Sequence, residues 1–416
     1  MKRILIWKKL NYEIDIYQKT DINNVYTEIK KRGDSCPNWG NKIWYQAIIS
    51  EISTSENEIV IRTNQTYDEI NQSFDLIVYP MANTFGCKYK TVLENLASVF
   101  KNIKIPVYVI ACGVQTTDNS LNSLIDDIGE ASKKFISAIY ETGGEFALRG
   151  YITKEFFDKL GFFTAVVTGC PSLYQLGKQL QVNVKKIDEK EFNPIFNGKH
   201  IAPFEEALES FSSSVFVDQN EYFIPLVDEN LQIKGIKEQI KFCYNYGCNA
   251  AKLLSESRIV MFADMNDWRA YLINSGFNYS FGSRIHGNIM AILCGIPATV
   301  VGLDCRVIEM ADFFEIPLVP MKKTFSSEDV YEAYCMADYS KFNAHFEEHY
   351  NNFENFLQSC GIVEHINENN LFFNQDSICS PAWNGYDNFK KIYRQMKRNK
   401  FLIDKGIKVS KFLKKK

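Results

Sequence analysis

Ser283-Arg284-Ile285-His286-Gly287 sets an arginine and a histidine two residues apart in a chain of 416 residues that has only five histidines. A guanidinium offers a planar fork of donors to an oxyanion, and an imidazole can move a proton near neutral pH. The flanks say where the pair sits. Tyr279–Phe281 reads as a strand ending in Gly282-Ser283. Asn288–Cys294 reads as a short helix stopped by Gly295 with Pro297 beyond it, and Pro297–Gly302 as a second, β-branched strand. One βαβ unit thus puts both residues at the carboxyl end of a strand beside a helix N-terminus. Open α/β sheets bind ligands there, and helix N–H groups favour anions. On local chemistry alone, a cap or surface role for His286 and an ordinary ion pair for Arg284 stand beside the catalytic reading.

Two alternations of strands and helices are needed to hold such a site. In the first, strand-like runs fall at Ile4–Trp7, Leu76–Tyr79, Val107–Ala111, Phe146–Leu148 and Thr164–Val167. Helical segments at Lys42–Ile52, Tyr89–Lys101, Leu121–Glu141 and Thr153–Leu160 lie between them. Residues 175–220 read as an irregular crossover. The second alternation has strands at Tyr222–Val227, Arg258–Phe262, Tyr279–Phe281, Pro297–Gly302 and Leu318–Pro320, with helices at Gly235–Cys248 and Asp267–Asn274. Helices at Ser327–Ala337, Lys341–Ser359 and from Asn388 through the tail complete the chain. The fold class expected is α/β, with lobes at 1–180 and 181–325 followed by C-terminal helices at 326–416.

Strand ends followed by small or polar residues are further candidates for ligand contact, notably Gly169-Cys170-Pro171-Ser172. Near the N-terminus, Asn38-Trp39-Gly40-Asn41 precedes a helix and can present amides and Asn side chains at its start. A tight turn with Asn41 as the helix cap is the plainer account. No GxGxxG, Walker loop, HExxH or DxD pair is present, so dinucleotide, P-loop and metal chemistry have no motif to rest on.

Composition is that of a globular protein, with 46% hydrophobic and 23% charged residues. Residues 394–416 carry ten Lys or Arg against Asp404 alone, a charge of +9 that, with the overall −3, leaves the rest near −12. That acidic body is a poor partner for nucleic acid. Phe401, Leu402, Ile403, Ile407, Val409, Phe412 and Leu413 interleave with the tail's lysines, the pattern of a helix lying on an anionic membrane surface. A frayed basic end broken by Gly406 is the alternative. Met1-Lys2-Arg3 runs straight into an apolar segment too short for an export signal, and the eleven cysteines lack paired spacing. Both lead us to expect a cytoplasmic protein, at the inner membrane face if the tail binds there.

The string FGSRIHGNIMAILCGIPATVVGLDCRVIEMADFFEIPLV resembles the polysaccharide pyruvyl transferase family. Asn38-Trp39-Gly40-Asn41 and the segment ALRGYITKEFFDKLG, running on to VVTGCPSLY, support the likeness, which spans roughly residues 36 to 320. The resemblance implies two facing Rossmann-like lobes of glycosyltransferase-B type. It also implies transfer of the pyruvyl group of phosphoenolpyruvate to a sugar of a cell-surface polysaccharide, capsule or exopolysaccharide, forming a ketal without cofactor or metal. By position Arg284 and His286 match the family's Arg-x-His motif, and Arg149 matches a second anion-binding arginine. Ser283, Ile285, Gly287, Asn38, Asn41 and Ser172 are then the expected substrate contacts. The acceptor is a saccharide, free or lipid-linked.

Two rivals come from other classes. A nucleotide-sugar glycosyltransferase can use the same lobes, with Asp304 or Glu309 on the ribose. A glycan-assembly scaffold held at the membrane by the tail would not need the arginines or His286 at all.

Overall fold

A computed structural model describes residues 1–7, 38, 40–116, 120–219, 235–246, 249–262, 264–367 and 393–413. Among these, the chain opens with strands β1 (Lys2–Ile6), β2 (Asn57–Ile61), β3 (Leu76–Pro80), β4 (Phe85–Gly86), β5 (Val107–Cys112), β6 (Val114–Gln115), β7 (Glu145–Leu148) and β8 (Val166–Val167). Between them lie helices α1 (Gly40–Ile52), α2 (Tyr67–Ser73), α3 (Lys90–Phe100), α4 (Leu121–Glu141) and α5 (Tyr151–Lys159). Six of the strands form an all-parallel sheet in the order β2-β1-β3-β5-β7-β8. Leu76–Pro80 and Val107–Cys112 are continuous apolar runs because a parallel sheet buries both faces. In α4, Leu124, Ile128, Phe135 and Ile139 recur at helical spacing on the buried side. Gly144 ends the turn after α4, where a Cβ would lie 1.9 Å from the Val107 carbonyl oxygen. Gly143 before it has room for a side chain but takes a left-handed φ of 79°.

The second sheet uses β9 (Pro194–Asn197), β10 (Phe216–Val217), β11 (Ile259–Val260), β12 (Tyr279–Gly282), β13 (Ala298–Gly302) and β14 (Leu318–Pro320). Its order is β11-β10-β9-β12-β13-β14, again all parallel. Helices α6 (Glu205–Ser210), α7 (Gly235–Tyr246), α8 (Ala250–Ser255), α9 (Met265–Asn274), α10 (Ile285–Leu293) and α11 (Cys305–Phe313) accompany it. The chain lays β10 and β11 outward from β9, then returns to β9's other side with β12. The strand order therefore reverses between β9 and β12, and the crevice at their carboxyl ends is the ligand position of doubly wound sheets.

The expected crossover at 175–220 needs correction, because it contains β9 and β10, two inner strands of this sheet. Both are short and buried on both faces, so no alternation marks them, and β9 opens on a proline, which a first strand position tolerates. The strand expected at Tyr222–Val227 lies outside the described residues, as do Trp39, Cys248 and the helix expected from Asn388 as far as residue 392. The helix expected to begin at Asn288 begins at Ile285 instead. Gly287, expected to contact substrate, lies inside this helix and against protein: a Cβ there would lie 2.5 Å from Gln219 Nε2 and 2.6 Å from Asn197 Oδ1.

The C-terminal helices divide between the lobes. Helix α12 (Ser327–Cys335) packs with the second sheet's core, whereas α13 (Ser340–Ser359) crosses back to the first. Asn352 Nδ2 donates to the Val167 carbonyl at 2.6 Å and Asn57 Nδ2 to that of Ile362 at 2.9 Å. One apolar cluster runs through both lobes, joining Ile4, Trp44 and Ile48 to Ile289, Val300 and Phe346. Helix α14 (Lys400–Leu413) lies on α7, and a Cβ on Gly406 would meet Ile240 Cδ1 at 2.3 Å. Gly406 does not break this helix; it lets two helices touch.

Candidate active site

The β12–α10 turn is held by buried amides. Asn197, last residue of β9, donates from Nδ2 to Ser280 Oγ at 3.0 Å and to Asn288 Oδ1 at 2.9 Å. Asn288 Nδ2 donates to the Gly282 carbonyl at 2.8 Å. Ser283 N donates to the Asn197 carbonyl, and Ser283 Oγ accepts from Lys199 N at 3.3 Å. With its polar side chains so paired, this turn fixes Arg284 as the residue capping α10 and His286 in the first turn.

His286 is only 7% exposed. The start of α1 approaches from the first lobe, so that a Cβ on Gly40 would lie 3.0 Å from His286 Cβ and 2.6 Å from Gln219 Oε1. Asn38 Oδ1 accepts from Gly40 N at 3.1 Å. The role of cap expected for Asn41 therefore falls to Asn38. Asn41 lies within α1, its Oδ1 accepting from Trp44 Nε1 at 3.3 Å. Behind the ring, Cys170 Sγ stands 3.8 Å from His286 Nε2, and Ser172 Oγ donates to that sulfur at 3.1 Å. Ser172 is fully buried, and Ile285 packs into the core shared by the lobes.

Arg149 enters from the end of β7. Its N–H donates to the Cys112 carbonyl at 2.9 Å, and its guanidinium carbon lies 5.6 Å from the centre of the Trp44 ring. The residue is 4% exposed, yet Nε and Nη2 have no hydrogen-bond partner among the described residues. Arg306, in the first turn of α11, donates from Nε to Asp304 Oδ1 at 3.0 Å. Burial drives the His286 pKa well below its ordinary value, and Arg149, Arg284 and Arg306 push it the same way. His200, after β9, is lowered by burial and by Lys199 and Arg284. Both lobes thus contribute to a strongly cationic crevice around a neutral imidazole. Among the described residues no group of His, Cys, Asp or Glu has the arrangement of a metal site.

These arginines and His286 meet where the two sheets face each other. The sequence profile of the family described as polysaccharide pyruvyl transferase matches residues 6–304, from β1 to the cap of α11. This chain belongs to the polysaccharide pyruvyl transferase family. Membership implies a polysaccharide acceptor. No curated protein matches the chain. Among solved structures it is similar to a putative UDP-N-acetylglucosamine 2-epimerase from Listeria monocytogenes, at 10% identity and a TM-score of 0.44, over 87% of this chain and 97% of that one. An S. aureus MnaA–UDP co-structure is similar at 10% identity and a TM-score of 0.42, over 87% and 98%. An uncharacterised protein from Klebsiella pneumoniae is similar at 11% identity and a TM-score of 0.36, over 73% and 100%.

In this pyruvyl transferase family member, the structure gathers Arg149, Arg284, His286, Gly287 and Asn38 at one crevice. Ser172 stands in a layer behind the ring, and the Ser283 side chain braces the turn. Cys170, in the Gly169–Ser172 loop expected to contact ligand, stands against the His286 ring; Arg306, Gln219 and Asn197 were not singled out in the sequence. Arg306 had a signal, since it opens a helix just after a strand end. Gln219 and Asn197 had none, because they follow and end the two strands that read as crossover.

Proposed function

We propose that the chain transfers the pyruvyl group of phosphoenolpyruvate to hydroxyls of a saccharide, forming a cyclic ketal and releasing phosphate. The observation that carries this reading is the buried guanidinium of Arg149, whose Nε and Nη2 have no partner among the described residues. Buried guanidinium N–H groups left without hydrogen bonds are costly and call for an acceptor such as an anion. Arg284 and Arg306 supply further positive charge from the facing lobe, matching a small donor that bears both carboxylate and phosphate. Ketal formation begins with protonation of the methylene carbon C3, which leaves a cationic C2. One sugar hydroxyl attacks C2, a second displaces phosphate, and two hydroxyl protons are released. His286 is neutral in the protein alone. Donor charge raises its pKa, so the imidazolium forms beside bound donor and supplies the C3 proton.

The nucleotide-sugar reading loses its ribose acceptors. Asp304 caps α11 and pairs with Arg306, while Glu309 is bonded to Thr153.

His286→Ala tests the assignment through phosphate release from phosphoenolpyruvate with saccharide acceptors, alongside thermal shifts against a panel of nucleotide sugars. The variant is expected to fold and to lose more than ~100-fold in kcat. Stabilisation by a nucleotide sugar and not by phosphoenolpyruvate would overturn the donor assignment.

We also propose that the acceptor is met at an anionic membrane surface, through the outer face of α14. Phe401 is 76% exposed and Leu402 53%, beside the exposed Arg398, Lys400, Lys405 and Lys408. No helix among the described residues is long and apolar enough to cross a membrane.

A further inference from the structure

Glu309 belongs to α11 in the second lobe, yet its hydrogen bonds go to the first. Thr153 N donates to Oε2 at 3.0 Å, and Thr153 Oγ1 lies 2.9 Å from each carboxylate oxygen. That hydroxyl accepts from Val114 N at 3.0 Å, so its one proton is free to go to Glu309. Thr153 is the third residue of α5, and the residue capping that helix, Gly150, has no side chain to offer. Glu309 therefore caps α5 from the other lobe.

The same carboxylate reaches both sides of Arg149. A Cβ on Gly150 would lie 3.1 Å from Oε2, and one on Gly113 would lie 3.0 Å from Oε1 and 3.3 Å from Arg149 Cδ. Gly150 follows Arg149, and Gly113 follows Cys112, whose carbonyl holds the Arg149 N–H. Glu309 is 2% exposed and in electrostatic contact with the guanidinium.

We propose that Glu309 is a positioning residue of the anion site, fixing Arg149 across the lobe boundary and, through its own charge, setting how much of that guanidinium is available to a bound anion. The proposal rests on the reading of the crevice as a donor site.

Groups facing Glu309 are few. Arg149 comes from the end of β7, Cys112 from β5 and Cys305 from its own helix, with Asp304 one turn away. Burial pushes both thiols up, so they stay neutral. Burial also lifts Glu309 to about 7, against the opposing pull of the Thr153 hydrogen bonds and Arg149. Below that pH the neutral carboxyl leaves the guanidinium charge to the ligand. Above it the carboxylate competes, so anion affinity falls as pH rises. His286 and His200 are both held below their ordinary values in the free protein, and a proton either takes up beside a bound anion is taken up in wild type and Glu309→Gln alike, so the difference between the two slopes belongs to Glu309.

Sulfate is the probe, because its charge is constant over the range. Its Kd is measured by calorimetry from pH 6.0 to 8.5 on the full-length protein, with wild type, Glu309→Gln, Glu309→Ala and Arg149→Ala. Wild type is expected to weaken about fivefold across the range. Glu309→Gln should lose the part of the slope that Glu309 supplies, so that it binds more tightly than wild type at pH 8.5, and should keep a KM for phosphoenolpyruvate near wild type at low pH. Glu309→Ala, which loses the cap, should bind about tenfold more weakly at every pH, and its rescue by Gln separates positioning from folding. A wild-type slope in Glu309→Gln overturns the proposal while leaving the site intact. Undiminished sulfate binding in Arg149→Ala overturns the anion site itself.

Discussion

His286 is surrounded by charges that oppose its proton, and that determines when it can act. Burial and three guanidiniums keep the ring neutral until an anion offsets them. The resting ring is thus held neutral, and in the proposed reaction proton delivery waits for the donor. A different burial effect governs Glu51, on α1. It is 1% exposed, neither carboxylate oxygen has a hydrogen-bond partner among the described residues, and burial raises its pKa well above the usual range. A carboxyl raised in the folded state contributes stability that is full below its unfolded pKa and is lost as pH rises through its folded pKa. Glu51→Gln removes that titration. Its Tm should match wild type near pH ~4.5 and exceed it by several degrees at pH ~8. Parallel curves of Tm against pH would show that Glu51 is paired in solution.

At the scale of elements, the site depends on how closely backbone segments approach. Gly287, in the first turn of α10, sits against Gln219 and Asn197, the residues that follow β10 and end β9. Gly287→Ala should cost about 1–3 kcal/mol by denaturant unfolding, because both neighbours are buried and Asn197 is held in a bonded network. It should also lower kcat by shifting His286. Unchanged stability and turnover would mean that the strands yield without moving the ring. This packing also explains what the sequence could and could not reveal. Helix α4 was legible over its full length because Leu121–Glu141 is long and strongly periodic. Arg284, His286 and Arg149 were legible because they stand at strand ends within quotable motifs. Strands β9 and β10 were not, since PIFN and FV have neither length nor alternation. Nor was the cap that Glu309 places on Thr153, 156 residues away in sequence, since no local pattern encodes a contact between lobes.

For the whole molecule, one core is shared by the lobes, and α13 returns from the second lobe to the first sheet. That construction gives the crevice a fixed rear wall and leaves α14 on the outside of the second lobe. Helix α14 is committed on one face only. Ile403 is buried, Ile407 packs against the second core and Gly406 touches Ile240, which leaves Phe401 and Leu402 pointing outward among basic residues. An amphipathic tail lying flat on a membrane would insert its whole apolar stripe. Here Ile403 and Ile407 are occupied, so in the proposed membrane contact the described apolar side chains left for lipid are Phe401 and Leu402, with their lysines. Each basic residue near an anionic surface contributes about 1 kcal/mol, and each apolar side chain, if fully inserted, about 1.5–3 kcal/mol. Binding should therefore be reversible and sensitive to salt. Sedimentation with vesicles containing about one-third anionic lipid is expected to carry down the wild type at low salt and release it near 0.5 M, where screening acts over ~4 Å. Phe401→Ser with Leu402→Ser should cut the bound fraction about tenfold without lowering Tm, since neither side chain packs in the core. Ile403→Ser, on the docked face, should lower Tm instead. Equal binding of the double variant and wild type would remove Phe401 and Leu402 from the contact, and no wild-type binding at low salt would remove the membrane.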